Sequence, residues 1–284
     1  MVDLKDFISL VEELSLLYQK VKEEEERLRI ERESRFSILC GELRSLYGEE
    51  KSRVYHEYIE PFIDKYSFLK EKSFLIVTEK HKKETCHSLF LKYIWNNQTK
   101  SGNIIFRHFL EEIGIKDSWL DTIKSKSYIV KEEHYTREQR KIDLNGKWID
   151  LFFVDNSNKW LVAVENKIKS EVRYYDEKRK RSQLDVYREY CEFNPDYKGY
   201  SKVYVLLSYN EKNRSHLRDK WEYADYYQLF RSLFLFRLKD VLLQDYLKTL
   251  FSLLFPEMRW EDTYEDVSLY RCMLFYNNVI SKIQ

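Results

Sequence analysis

Asp150, Glu165 and Lys167 stand inside two apolar stretches, WIDLFFV from Trp148 to Val154 and WLVAVENKI from Trp160 to Ile168. Charges buried in such surroundings are costly unless they pair or bind a cation. The stretches read as strands joined by a polar turn around Asn156-Ser157-Asn158. If Asp155 faces Trp160, an antiparallel register carries Asp150 opposite Glu165, with Cβ atoms about 5 Å apart. Lys167 shares that face, because strand side chains alternate with period two; a slip of one residue would put Asp150 on the other face. Two carboxylates that close repel unless a cation lies between them. Hard oxygen donors suit Mg²⁺, with Mn²⁺ as a substitute, which keeps waters and takes further ligands from a phosphate. A neighbouring lysine can orient or deprotonate a water, or offset charge growing on the phosphate. The chemistry these residue types support is metal-assisted phosphodiester hydrolysis.

Positioning such a group requires a sheet covered on both sides, and both strands are apolar on both faces, as in a central sheet between helices. KVYVLLS from Lys202 to Ser208 reads as a further buried strand. Lys141 to Leu144 reads as an edge strand, with Asn145-Gly146 as a hairpin turn. The spacing predicts a helix from about Leu4 to Leu46 and a second run after Gly48, with Pro61 at a start or bend. The mixed-charge KEEEERLRIERESR reads as the solvated face of an amphipathic arm, lacking a run of clean heptads. A third helix is predicted from Thr78 to Asn96, with Leu89, Phe90, Tyr93 and Ile94 on its buried side and Glu84, His87 and Ser88 on a neighbouring one. A short helix follows, closed by Gly114. From about Asp225 onward the pattern is helical.

The 284 residues are 34% charged, 43% hydrophobic and 16% aromatic, which excludes a globally disordered chain. Six Gly and three Pro favour long helices over a turn-rich β fold. A net charge of +1 announces no polyanion partner by itself, although a local basic groove remains compatible with it. No signal peptide and no apolar run of membrane-spanning length is visible, and the four scattered cysteines lack a CxxC pair, so a cytoplasmic, reduced protein is expected. Cys86 and His87 with nearby His81 lack a second ligand cluster and read as packing.

Asp150 followed by Glu165-Asn166-Lys167 resembles the PD-(D/E)XK nuclease superfamily. Glu84 in ETCHSLFLKYIW resembles the acidic residue on the helix before the sheet. Gln183 in SQLDVY, with Tyr187 one turn later, resembles the QLxxY helix of bacterial members. The likeness covers roughly Phe36 to Tyr227; Ile149 stands where the motif has proline. It implies a restriction-endonuclease-like α/β fold, a small mixed central sheet flanked by helices. It further implies Mg²⁺ ligands at Asp150, Glu165, Glu84 and the Asn166 carbonyl, a water-positioning Lys167, and Gln183 beside the catalytic group. The expected organisation is a helical N-terminal arm over 1–75, a nuclease core over 76–236 and a C-terminal helical cap over 237–284.

The expected partner is nucleic acid, DNA first and RNA as the alternative, with a second copy or a partner protein on the N-terminal helices. The basic run Lys167, Lys169, Arg173, Lys178, Arg179, Lys180 and Arg181, interleaved with Tyr174 and Tyr175, either contacts a phosphate backbone with Tyr187 nearby or is a solvated loop. The alternative function is a catalytically idle binding or interaction module on the same fold. The family likeness extends to bacterial defence or mobile-element systems only by analogy.

Overall fold

A computed structural model describes residues 4–135, 148–176, 181–217, 219–255 and 267–283. The expected edge strand at Lys141–Leu144 with its Asn145-Gly146 turn, and Lys178, Arg179 and Lys180 of the basic run, lie outside the described residues. The chain divides into two compact units, Met1–His56 and Glu57–Gln284.

The first unit is one helix, α1 (Leu4–Val54). It continues through Gly48, where a break was expected; glycine costs a helix only about 1 kcal/mol relative to alanine, and a long helix absorbs that. Ion pairs one turn apart line it, Arg29 with Glu26 at 2.7 Å and Arg35 with Glu31 at 2.5 Å, each contributing a few tenths of a kcal/mol when exposed.

The second unit begins with α2 (Glu60–Lys65), with Pro61 in its first turn, and α3 (Phe74–Val77), capped by Ser73. Next come α4 (Glu84–Ile94) and α5 (Gly102–Glu112). The predicted helix from Thr78 starts six residues late. Glu79 takes a positive φ of 57° and residues 79–83 form turns, so α4 opens on Glu84. Beyond α5, Gly114 closes the helix at φ 94°, a backbone that suits a residue without Cβ.

Five strands follow: β1 (Ile129–Tyr135), β2 (Trp148–Asp155), β3 (Trp160–Lys167), a small hairpin of β4 (Tyr174–Asp176) with β5 (Arg181–Ser182), then α6 (Gln183–Phe193). β6 (Ser201–Ser208) and β7 (Trp221–Asp225) complete the sheet, and α7 (Tyr226–Phe234), α8 (Val241–Leu254) and α9 (Leu269–Phe275) follow. The main sheet has the order β1-β2-β3-β6-β7, antiparallel through β1, β2 and β3 and parallel through β3, β6 and β7. This is the mixed sheet flanked by helices that the resemblance implied. β7 was not foreseen, because WEYAD is short and carries two acids.

The β2–β3 register is the one expected: Asp155 pairs with Trp160 and Leu151 with Val164. Asp155 sets it, its Oδ1 accepting the amides of Ser157 and Asn158 at 2.9 Å and closing the turn. Helix α6 covers one sheet face, where Phe152, Val154, Leu161 and Ala163 pack with Leu184 and Tyr190. The opposite face carries Phe153, stacked on Phe106 of α5 with ring centroids 4.1 Å apart and against Trp95 at 6.0 Å. All three of these rings are fully buried. Phe153→Ala should therefore lower unfolding stability by about 3–5 kcal/mol, the range for a large-to-small change in a closed core, measured by urea denaturation with far-UV circular dichroism.

Candidate active site

Pairing between β2 and β3 ends at Leu151 and Val164, and beyond that point the two strands bracket a small polar group. There the Asn166 amide donates to Asp150 Oδ2 at 2.8 Å, so a side chain takes a bond of the kind the ladder makes between main chains. Because N–H and C=O of one strand residue point the same way, the Asn166 carbonyl faces that same gap. The Asn166 side chain points to the opposite face, where Oδ1 accepts the Tyr226 hydroxyl at 2.7 Å and Nδ2 reaches Ser88 Oγ at 3.4 Å.

Glu165 and Lys167 occupy the α6 face of β3 and are 2% and 7% exposed. Lys167 Nζ lies 2.6 Å from Glu165 Oε1. The same oxygen accepts from Gln183 Nε2 at the first turn of α6. Helix α6 is aimed there by a capping box between Ser182 and Asp185, and by a bridge in which the Gln183 amide donates to the Arg173 carbonyl at 2.9 Å. Glu165 Oε2, in contrast, is buried with no hydrogen-bond partner among the described residues.

The electrostatics follow from this burial. Loss of water, and then the neighbouring Glu165 charge, push the Asp150 carboxyl well above the usual carboxylate range, against the pull of the Asn166 amide. Burial also raises Glu165, with Lys167 opposing. Burial works to lower Lys167, but the Glu165, Asp150 and Glu84 carboxylates outweigh it and hold the ammonium above its ordinary value. The group is thus a charged lysine–glutamate pair beside a carboxyl that favours its proton. A divalent cation fits such a set: it would meet the unpartnered Glu165 oxygen and displace the Asp150 proton.

Glu84 is tied to the segment that follows β3. At the first position of α4 its Oε1 accepts the amides of Ile168 (2.9 Å), Lys169 (3.3 Å) and Ser170 (3.2 Å), and Ser170 Oγ at 2.8 Å. These donors hold its carboxyl below its ordinary value although burial pulls the other way. Among the described residues no three His, Cys, Asp or Glu side chains gather closely enough to hold a metal ion, while the Glu84 charge still acts on both Asp150 and Glu165. Tyr187 is not at the surface: it is 4% exposed and its hydroxyl donates to the Trp148 carbonyl at 2.5 Å. Lys169 and Arg173 are exposed on the segment that leaves β3. His87 is buried, with Nδ1 3.0 Å from the Tyr246 hydroxyl and Nε2 2.9 Å from the His81 carbonyl, and burial lowers it to about 4. It is a packing residue. Sequence reasoning missed Ser170 and Tyr226, which hold Glu84 and Asn166; neither carries a motif.

A family model for the PD-(D/E)XK nuclease superfamily matches residues 72–246, which contain every residue of this site. The chain belongs to this superfamily. No curated protein and no solved structure matches it. Members of the PD-(D/E)XK superfamily typically use divalent metals, in keeping with the donor set here, and the membership supports a nuclease-like function on nucleic acid. No helix among the described residues is long and apolar enough to cross a membrane.

The raised Asp150 carboxyl has a testable sign. The folded metal-free chain binds this proton more tightly than the unfolded chain, so stability is lost as pH rises from the unfolded value near 4 toward the folded one. Asp150→Asn keeps the acceptor for the Asn166 amide and removes the titration. In chelator-treated protein it should stabilise the fold at pH 8 and do so less at pH 5, read from urea unfolding at the two pH values.

Proposed function

We propose that the chain is a metal-dependent nuclease that hydrolyses phosphodiester bonds, with DNA as its substrate. The observation that carries this reading is the group of half-buried Asp150 with buried Glu165 and Lys167, whose Glu165 oxygen lacks a partner beside a carboxyl that favours its proton. Asp150 and Glu165 would hold Mg²⁺, or Mn²⁺ in its place, with the Asn166 carbonyl as a further donor; the ion when bound supplies a Lewis acid for the phosphate and a water of lowered pKa. Lys167 stays protonated on Glu165 and is placed to orient the attacking water and to offset charge on the phosphate oxygens. Gln183 holds the carboxylate of Glu165 in one orientation through Oε1, leaving Oε2 for the ion.

Glu84 fixes residues 168–170, and with them the exposed Lys169 at the end of β3. Lys82 and Lys169 are exposed, and near enough to His81 that their charges, after burial and against Glu79, depress it; they would form a local positive rim. That rim, with Arg173, suits a phosphate backbone. RNA would use the same chemistry and is the second substrate class. A part in bacterial defence or mobile-element biology extends this reading by fold analogy alone.

The chain incubated with Mg²⁺ should cut double-stranded DNA, followed on gels, and chelator should stop it. Asp150→Ala and Lys167→Ala should each lower the rate by at least about 10²–10³-fold. Parallel reactions with single- and double-stranded RNA decide the substrate class. Cleavage unchanged in both variants would sink the assignment. Metal-dependent stabilisation without cleavage of either polymer would favour the idle binding module.

A further inference from the structure

Helix α1 forms a compact unit of its own, yet it carries large apolar side chains in water. From Leu14 to Leu46 one set recurs in steps of three and four and stays within roughly 80° on an ideal helix. Leu14, Tyr18, Val21, Phe36, Leu39 and Leu43 of this stripe are each more than half exposed. Two members of the stripe are charged, Glu25 and Arg32. Nearby charges satisfy each other along the helix, Arg27 with Glu24, Arg29 with Glu26 and Arg35 with Glu31. Glu25 and Arg32 take no ion pair among the described residues.

We propose that α1 pairs with the α1 of a second copy as an antiparallel coiled coil whose two-fold axis passes beside Leu28. Reversing the helix about that point lays the stripe on itself. Leu14 then meets the partner subunit's Leu43, Tyr18 meets the partner subunit's Leu39, and Val21 meets the partner subunit's Phe36. Glu25 meets the partner subunit's Arg32. The two charged layers become two opposite-charge pairs flanking the axis, and the layers outside them are apolar on both sides. A parallel, in-register pair would set Glu25 against the partner subunit's Glu25 and Arg32 against the partner subunit's Arg32, placing like charges in the seam. The charges thus choose the direction and the apolar residues supply the association.

The stripe contains two successive four-residue steps, Leu28 to Arg32 to Phe36, within an otherwise alternating pattern. An eleven-residue spacing of this kind straightens a supercoil locally without interrupting the seam. From Leu14 to Leu43 the paired region is about 45 Å long, enough for a stable coil. Ile30 and Ile38 stand off the stripe and take no part in it.

The inference does not use the Asp150–Glu165–Lys167 group, so its outcome is independent of the nuclease assignment. The full chain at micromolar concentration should be a dimer by light scattering and sedimentation. Glu25→Arg should weaken dimerisation tenfold or more while the circular dichroism of the protein is kept, and Glu25→Arg with Arg32→Glu should restore it. In a chain with Cys40→Ser and Cys86→Ser, Val21→Cys together with Phe36→Cys should give an interchain disulfide on oxidation, and Val21→Cys alone should not. A monomeric chain, a dimer indifferent to Glu25→Arg, or crosslinking through Val21→Cys alone would each overturn the proposal.

Discussion

The bond from the Asn166 amide to the Asp150 carboxylate is the constraint on which the rest of the site depends. It lies just past the last paired residues of β2 and β3, so the strands stay together at Leu151–Val164 and open immediately beyond. If Asp150 were apolar, that amide would need a partner on the β2 main chain, and the gap facing the Asn166 carbonyl would close. The other end of the hairpin is held by Asp155, which gathers two turn amides. Two aspartates five residues apart on one strand therefore do different work. One sets the register, and the register delivers the other to the carboxylate on β3.

The two helical layers then determine the electrostatics. Helix α6 covers the face that carries Glu165 and Lys167, and α4 covers the face where Asn166 is tied to Ser88 and, through Tyr226, to α7. Removing water on both sides makes each ionised group expensive. The lysine–glutamate pair offsets part of that cost, and Gln183 satisfies the same Glu165 oxygen. The remaining cost falls on Asp150, whose carboxyl retains its proton well above the usual range. Desolvation and readiness for a cation are here one property, since a proton and a divalent ion compete for the same oxygens.

Much of this was legible in the residues. Apolar run length identified β2, β3 and β6, and the polar turn at Asn156-Ser157-Asn158 joined β2 to β3, but their register was an assumption that a slip of one residue would have undone; the bonds from the turn amides to Asp155 are what set it. The start of α4 was not legible: Thr78–Lys83 has helix-compatible residues, and only the left-handed Glu79 and the turn bonds around it stop the helix. β7 was lost because its pattern of burial, with Glu222 exposed between Trp221 and Ala224, is set by one edge of a sheet and not by its own composition. Tyr187 shows the limit of spacing arguments. One turn after Gln183 it shares that residue's face, but the face is turned toward the core cluster, and its hydroxyl finds the Trp148 carbonyl.

Glu84 shows a different limit. A carboxylate on a helix before such a sheet can face an ion or face amides, and residue order does not distinguish the two. In this chain the segment after Lys167 turns so that three consecutive amides and a hydroxyl converge on one Glu84 oxygen. Those donors keep Glu84 ionised despite burial. Its charge is then felt by all three members of the site: it helps to hold Lys167 protonated and adds to the penalty on ionising Asp150 and Glu165. A residue that does not join the acidic pair can still tune it. Here it does so twice, through the field it adds and through the position it imposes on the chain next to the lysine.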